Sequence, residues 1–531
     1  MKEIWNERNF CTEKELILPV SVKDYKNVID SEELTAAKSA YISFDQSHAA
    51  QFTQKGAYVV LDFGKELCGG LRILTCTVEN VYAKVRITLG ESLTEACSSI
   101  GEKNATNHHA PRDFTADIVN LSDLTVGQSG FRFARIELLT ETSFSVRNIY
   151  GVNTLPVFPR EGFLKTDDEA LNQIMETAAY TLKLTCQNGM IWDGVKRDRL
   201  IWSGDLNPEI LTGLYRFGDI PNVSNALSAL RQSTPEDRWI NDIPCYSAWW
   251  VLNLCDYFRF TGNREFYQQN RQYALQIMER INRCVASDGT IDFRLDPEQY
   301  MVFFLDWPSY RTEDSAVGAA SLILYTANRM LDIEENTPCR QLHEKLQPWL
   351  YKDAIHKQVR AFQILAGRRQ PGDAAFLEKN GAEGMSTFMA YYILKADAIA
   401  GGTNQIAMIQ DYFGGMLDRG ATTFWEDFDV AWLEGSGRID RFPEPGQKDI
   451  HGDYGAFCYQ GFRHSLCHGW ASGVLAFLYE YLLGVQLHPG GKNAVMPQPM
   501  GIHWVEGAVP VPDGMLCVQV TDGKVIKKHI S

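Results

Sequence analysis

The stretch Ile191-Trp-Asp-Gly-Val-Lys-Arg-Asp-Arg-Leu-Ile-Trp-Ser-Gly-Asp205 sets three carboxylates, three cations and two tryptophans in fifteen positions. A dry core would have to satisfy every one of those ions, and a washed outer face gains nothing from Trp192 and Trp202. The mixture predicts the lining of a polar pocket, with aromatic walls and a few convergent charged groups. Lys196-Arg-Asp-Arg199 alone would read as an exposed charge cluster, and the flanking tryptophans are what turn the reading inward.

Just upstream, from Asp167, the residues Leu171, Ile174, Met175, Ala178 and Leu182 fall at helical spacing behind an acidic start able to cap a helix. Downstream, helical stretches are expected near 206–217, 222–231, 246–261, 264–284, 314–335, 338–363, 384–400, 404–418 and 466–483, several ending at a glycine such as Gly262 or Gly484. So many helices do not make one simple bundle. With chemical motifs concentrated in the loops between hairpins, the pattern is compatible with a closed ring of paired helices, although periodicity does not display closure.

Ahead of residue 160 the apolar residues come in short bursts: Tyr58–Phe63, Leu71–Cys76, Ala83–Leu89, Phe131–Leu138 and Ser143–Tyr150. These predict strands of an antiparallel sandwich, with Cys68-Gly69-Gly70-Leu71 as a turn and Pro156, Pro159 and Gly162 as a junction. Beyond Gly484, the breakers Pro489, Gly490, Gly491, Pro497, Pro499, Gly501, Pro510, Pro512 and Gly514 leave bursts such as Leu516–Val520. They predict a few strands too short to fold alone. The expected architecture is multi-domain and mainly α: an N-terminal β-sandwich over 1–160, a helical catalytic domain over 161–485 and a short C-terminal β segment over 486–531.

A chain of 531 residues, 45% of them hydrophobic, exceeds what one core normally organises. Its net charge of -15 repels phosphate backbones and anionic membrane surfaces, which argues against nucleic acid and lipid partners. No run reaches the length needed to span a bilayer, and Met1–Asn9 offers no apolar core of a signal peptide, so a microbial cytoplasm is the expected location. The twelve cysteines contain no CxxC pair, which predicts reduced, mostly buried thiols. His108-His109 has no third ligand at suggestive spacing and reads as a loop, so no metal is expected, and the glycine pair at Cys68–Leu71 lacks the strand-to-helix phosphate pattern of a nucleotide cofactor.

Tryptophans beside clustered carboxylates and arginines suit a carbohydrate-active enzyme. Breaking a glycosidic bond requires a protonated group at the leaving oxygen and a carboxylate acting on water or on the anomeric carbon. One member is sought among Asp193, Asp198 and Asp205, the other in Gly420-Ala-Thr-Thr-Phe-Trp-Glu-Asp-Phe-Asp429. Glu426 beside Trp425 leads there, with Asp427, Asp429, Glu434 and Glu444 as alternatives.

The pattern Asp193-Gly-x-Lys-Arg-Asp-Arg-Leu-x-Trp-x-Gly-Asp205 resembles the signature loop of the α-L-rhamnosidases of glycoside hydrolase family seventy-eight. Phe304-Leu-Asp-Trp-Pro308, Gly420-Ala-Thr-Thr-Phe-Trp-Glu426 and Ser465-Leu-Cys-His-Gly-Trp470 resemble three further motifs of that family, in family order. The resemblance implies an (α/α)6 toroid with β-sandwich modules and inverting, exo-acting hydrolysis of terminal α-L-rhamnose without metal or cofactor. It makes Asp198 the general acid, where other members place Glu, and Glu426 the base that activates water. Asp193, Arg197, Trp202 and Asp205 would hold the sugar, with Trp307 and His468 as contacts and Tyr246 and Trp249 as further matches.

L-Rhamnose is a 6-deoxy sugar whose methyl group needs an apolar wall, for which Trp249, Trp250, Trp307, Trp425 and Trp470 are available. The compact chain suits small rhamnosides. The expected partner is thus a small-molecule or oligosaccharide rhamnoside, with a homodimer left open. Another sugar on the same toroid, or a catalytically dead sugar-binding relative, are the competing readings; the presence of both Asp198 and Glu426 argues against the second.

Overall fold

The computed structural model describes residues 11–293, 301–488 and 493–531. The N-terminal Met1–Asn9 and the breakers Pro489, Gly490 and Gly491 therefore lie outside the described residues.

Among the described residues, the first part of the chain forms one nine-stranded antiparallel sheet folded into a sandwich. Its strands are β1 (Thr12–Ile17), β2 (Ser21–Lys26), β3 (Val28–Ile29), β4 (Ala50–Phe52), β5 (Tyr58–Val78), β6 (Ala83–Gly90), β7 (Asp113–Ile118), β8 (Asp123–Leu138) and β9 (Phe144–Pro156). The order is β3-β4-β9-β5-β8-β6-β7, with β1 on β9 and β2 on β5. The two bursts at Tyr58–Phe63 and Leu71–Cys76 belong to the single strand β5, which exchanges β2 for β9 as its neighbour half-way along. Cys68-Gly69-Gly70-Leu71, expected as a turn, instead continues that strand. The glycines are there because both flanking strands come close: a Cβ on Gly69 would lie 2.0 Å from the Val152 carbonyl oxygen, and one on Gly70 would lie 2.2 Å from that of Gly127. Val59, Leu61, Phe63, Ile87 and Ile136 belong to the buried core enclosed by the sandwich.

The helical part closes into a ring. After the short α1 (Leu93–Ala96) inside the sandwich come α2 (Glu169–Thr185), α3 (Leu206–Arg216), α4 (Pro221–Ser233), α5 (Pro244–Thr261), α6 (Arg264–Arg283) and α7 (Ser315–Leu331). They are followed by α8 (Thr337–Leu346), α9 (Lys357–Leu365), α10 (Asp373–Glu378), α11 (Ala390–Ile399), α12 (Gln405–Ile409), α13 (Gly415–Asp418) and α14 (Gly473–Phe477). Among the described residues, α3 packs on α5, α5 on α7, α7 on α9, α9 on α11, α11 on α14, and α14 returns to α3. Those inner helices are hydrophobic nearly all round; α5 buries fourteen of its residues, Pro244 to Tyr257 without interruption. The outer helices carry the amphipathic stripe, as in α6, whose buried Tyr267, Ala274, Ile277 and Ile281 keep helical spacing.

Three of the expected helices change on folding. The 338–363 stretch is two helices separated by a turn of 3-10 helix at Gln347–Tyr351, where Pro348 cannot continue the hydrogen-bond ladder. The carboxylate of Asp314 then accepts from the backbone of Ile355 and His356 and starts α9. The 404–418 stretch carries a π-helical turn at Gln410–Gly414 between α12 and α13. The 466–483 stretch is helical only from Gly469, because the preceding residues are extended and His468 forms an antiparallel bridge with Gly194.

The closing sheet borrows a strand from ahead of the toroid. β10 (Phe163–Thr166) pairs with β13 (Trp504–Val511), which continues into β14 (Gly514–Thr521) and β15 (Lys524–Ile530), while β11 (Val485–Gln486) and β12 (Ala494–Val495) form a separate pair. The tail's apolar face, including Val505, Val509, Leu516 and Val518, joins the core of the toroid, which is how so short a segment is held. All twelve cysteines are free and eight are buried. Among the described residues no helix is long and apolar enough to cross a membrane.

Candidate active site

The loop joining α2 to α3 is pinned at its root and turned sharply at its tip. Asp193 accepts hydrogen bonds from the backbone of Gly194 (2.9 Å) and Leu200 (3.0 Å), and its own carbonyl accepts from Gly469 at 2.7 Å. At the tip Asp198 and Arg199 adopt φ of 58° and 54°, a left-handed pair that is uncommon outside glycine. The turn sends three neighbouring cations in three directions. Lys196 is buried against Glu91 (3.0 Å) and Glu95 (3.1 Å) of the sandwich, and Arg199 donates to Val195 and Gln128 carbonyls over the Trp192 ring.

Arg197 faces the other way and holds both carboxylates of interest. Its Nη2 lies 2.7 Å from Glu426 Oε1 and also contacts Oε2, its Nη1 contacts Asp198 Oδ2, and its Nε donates to the Arg463 carbonyl at 2.6 Å. One buried guanidinium therefore brings Asp198 and Glu426 to the same place, although 228 positions separate them in the sequence numbering (426 − 198). Burial works against the charge on Arg197, and the two carboxylates outweigh it and raise its pKa. Glu426 Oε2 also accepts from Ser465 N–H at 3.0 Å. That residue is itself tied to Glu91, whose oxygens accept from Ser465 Oγ and Leu466 N–H. Burial lifts Glu426 above the ordinary glutamate range against the pull of Arg197.

A cavity of 260 Å³ opens beside this pair, lined among others by Asp193, Asp198, Trp202, Asp205, Tyr246, Phe304, Trp307, Tyr459, His468 and Trp470. Its wall comes from the segments leading into α3, α5, α7 and α14, so it sits at the N-terminal ends of inner helices, where the helix dipoles favour carboxylates. Asp205 accepts from the Tyr246 hydroxyl at 3.0 Å, and Gly204 permits the approach, since a Cβ there would lie 2.7 Å from the Tyr246 ring. Burial, reinforced by neighbouring carboxylates, drives Asp193 and Asp205 well above the usual range. His468, packed at a tilt against Trp470, places Nε2 3.4 Å from Glu426 Oε1, and burial together with Arg197 holds its imidazole neutral. Its Nδ1 is buried with no protein partner.

Of the residues singled out in the sequence, Asp193, Asp198, Trp202, Asp205, Tyr246, Trp307 and His468 line the cavity; Arg197 and Glu426 contact side chains that do. Trp249 and Trp425 correct the expectation, because both are fully buried away from it. Trp249 packs on Phe362, Phe388 and Tyr392 inside the ring of helices, and Trp425 sets its edge against Phe428 and His464. Trp250 is buried in the same way, leaving Trp202, Trp307 and Trp470 as the indole wall. The alternative acids have other partners: Asp427 accepts from Ala456 N–H, Asp429 caps the turn at Val430–Leu433, and Glu434 and Glu444 are exposed. Sequence reasoning missed His109, Tyr459 and Arg463, which belong to the same wall.

Glu91, Glu95 and His451 bring ligand-type atoms within 4.8 Å of one another among the described residues. The position of a cation there is taken by the Lys196 ammonium. Both His451 nitrogens are also engaged, Nδ1 with Ser92 Oγ at 2.7 Å and Nε2 with the His464 carbonyl at 2.9 Å. The cluster is an internal ion network that joins the sandwich to the loop carrying Ser465.

Comparison with known proteins bears on this geometry. Residues 159–331 match the family described as the bacterial alpha-L-rhamnosidase six-hairpin glycosidase domain. The chain superposes on the rhamnosidase from Klebsiella oxytoca with rhamnose bound at a TM-score of 0.67 and 19% identity, covering 88% of this chain and 96% of that one. The fold is that of the α-L-rhamnosidases. The family seventy-eight rhamnosidase of Bacillus sp. GL1 gives a TM-score of 0.66 at 18% identity over 92% of this chain and 53% of that one. The Streptomyces avermitilis α-L-rhamnosidase complexed with L-rhamnose gives 0.65 at 15%, over 87% and 46%. The chain thus spans nearly all of the Klebsiella rhamnosidase and about half the length of the other two. No curated protein sequence matches it. The six-hairpin rhamnosidase architecture agrees with the closed ring described above, including the return of α14 to α3.

Proposed function

We propose that this chain is an inverting, exo-acting α-L-rhamnosidase that hydrolyses terminal α-L-rhamnose from small rhamnosides. The observation that carries the reading is the Arg197 guanidinium between Asp198 and Glu426 at the edge of a sugar-sized cavity. Asp198 donates a proton to the glycosidic oxygen as that bond breaks, and Glu426 takes a proton from the water that attacks the anomeric carbon from the opposite face. Asp193, Asp205, Tyr246 and His468 receive the ring hydroxyls, while Trp202, Trp307 and Trp470 supply the apolar wall for the 6-methyl group. Similarity to two rhamnosidases solved with rhamnose supports the choice of glycone.

A panel of 4-nitrophenyl glycosides tests the choice of sugar. The α-L-rhamnoside is expected to exceed the α-L-mannoside, which adds a 6-hydroxyl facing the indole wall, by about 100-fold in kcat/KM. Preference for another glycone would keep the fold and discard the substrate.

A further inference from the structure

The reading of Asp198 as the acid leaves one neighbour unexplained. His109 stands in the sandwich, on the loop between α1 and β7, yet its Nδ1 lies 2.7 Å from the backbone nitrogen of Asp198 and 2.9 Å from its Oδ1. The imidazole is itself part of the cavity wall. Its loop is firmly built. The Asn107 side chain accepts from the backbone of Arg112 and Asp113, and the buried Arg112 guanidinium donates to the Leu89, Glu95 and Ser98 carbonyls. Next to it, His108 Nδ1 accepts from Arg463, the residue whose carbonyl receives Arg197 Nε.

We propose that His109 is a positioning residue for the acid, supplied to the toroid's active site by the N-terminal sandwich. Asp198 occupies a left-handed backbone conformation at the tip of its loop and needs a partner to stay there. The His109 side chain provides one, because its Nδ1 accepts the Asp198 N–H. The imidazole holds the backbone of Asp198 and Arg197 holds its Oδ2, which together keep the carboxyl group on the cavity wall. Proton delivery to the leaving oxygen therefore depends on a side chain outside the helical domain. This inference rests on the assignment of Asp198 as proton donor.

The test uses leaving groups of different basicity. His109 has φ of 66°, so His109→Gly removes the side chain without straining the backbone, and His109→Asn keeps a hydrogen-bonding atom near the Nδ1 position in a residue that tolerates this conformation. His109→Gly is expected to lose about ten-fold in kcat on an alkyl rhamnoside, whose alkoxide must be protonated to leave, and less than about two-fold on the 4-nitrophenyl rhamnoside. KM should hold for both substrates, and His109→Asn should recover most of the loss. Equal losses on the two substrates, or no loss on either, would overturn the proposal. If the wild-type protein prefers another sugar, the same comparison is run on that glycoside. The amide proton NMR signal of Asp198 checks the contact without turnover: it should move when His109→Gly removes the acceptor, and a signal that stays put overturns the pairing even if no glycoside is cleaved.

Discussion

Glu426→Gln is expected to lose at least about 1,000-fold in kcat on every rhamnoside, irrespective of leaving group, because the role proposed for Glu426, activating water, is used in every turnover. The substitution is nearly isosteric but removes the negative charge that Arg197 and Ser465 N–H hold in place. The pH profile should change with it. As the proposed base Glu426 must be ionised, so activity is expected to fall as pH drops through its pKa. Burial sets that limb above the ordinary glutamate value of about 4.3. In the variant that limb disappears. Circular dichroism and calorimetric titration with L-rhamnose separate lost chemistry from lost structure: a folded variant that still binds the sugar and still turns over at the wild-type rate would remove Glu426 from the reaction.

Asp198→Asn should show the complementary pattern. On alkyl rhamnosides the loss is expected to be about 100- to 10,000-fold in kcat, shrinking to about ten-fold on the 4-nitrophenyl rhamnoside, whose leaving group departs with little help. The hydrogen bond from Asp198 N–H to His109 survives in this variant, so the loop should stay in place. A loss of the same size on both substrates would mean that Asp198 acts on something other than the leaving oxygen. The contrast with Glu426→Gln is the useful part, since a general decline in stability would lower both substrates together in both variants.

The signature loop was readable because its chemistry is local. Asp193 and Asp205 bracket a run of charges that has no use in a core, and their spacing survives as two points of one cavity wall. Trp425 and Trp249 were misplaced for different reasons: Trp425 adjoins Glu426 in a loop, where consecutive side chains need not face the same way, and Trp249 lies on α5. An inner helix such as α5 is surrounded on every side, so its apolar period carries no information about which face looks at a cavity. The 338–363 stretch kept helical spacing through Pro348, and only the geometry of the Asp314 carboxylate shows where α9 begins. His109 left no trace in the sequence beyond a dipeptide in a loop. Its partner lies 89 positions away in another layer of the molecule, and the contact exists only once the sandwich is docked on the toroid. The same holds for Lys196, whose role is set by Glu91 and Glu95 of the sandwich rather than by its charged neighbours.

The proposed division of labour, with Glu426 activating water and Asp198 protonating the leaving oxygen from the other face, has a direct stereochemical consequence. Proton NMR of a freshly started hydrolysis of an α-L-rhamnoside, read before mutarotation, reports the anomer released. The account predicts β-L-rhamnose first, with the α anomer growing in only afterwards; α-L-rhamnose as the first product would contradict it.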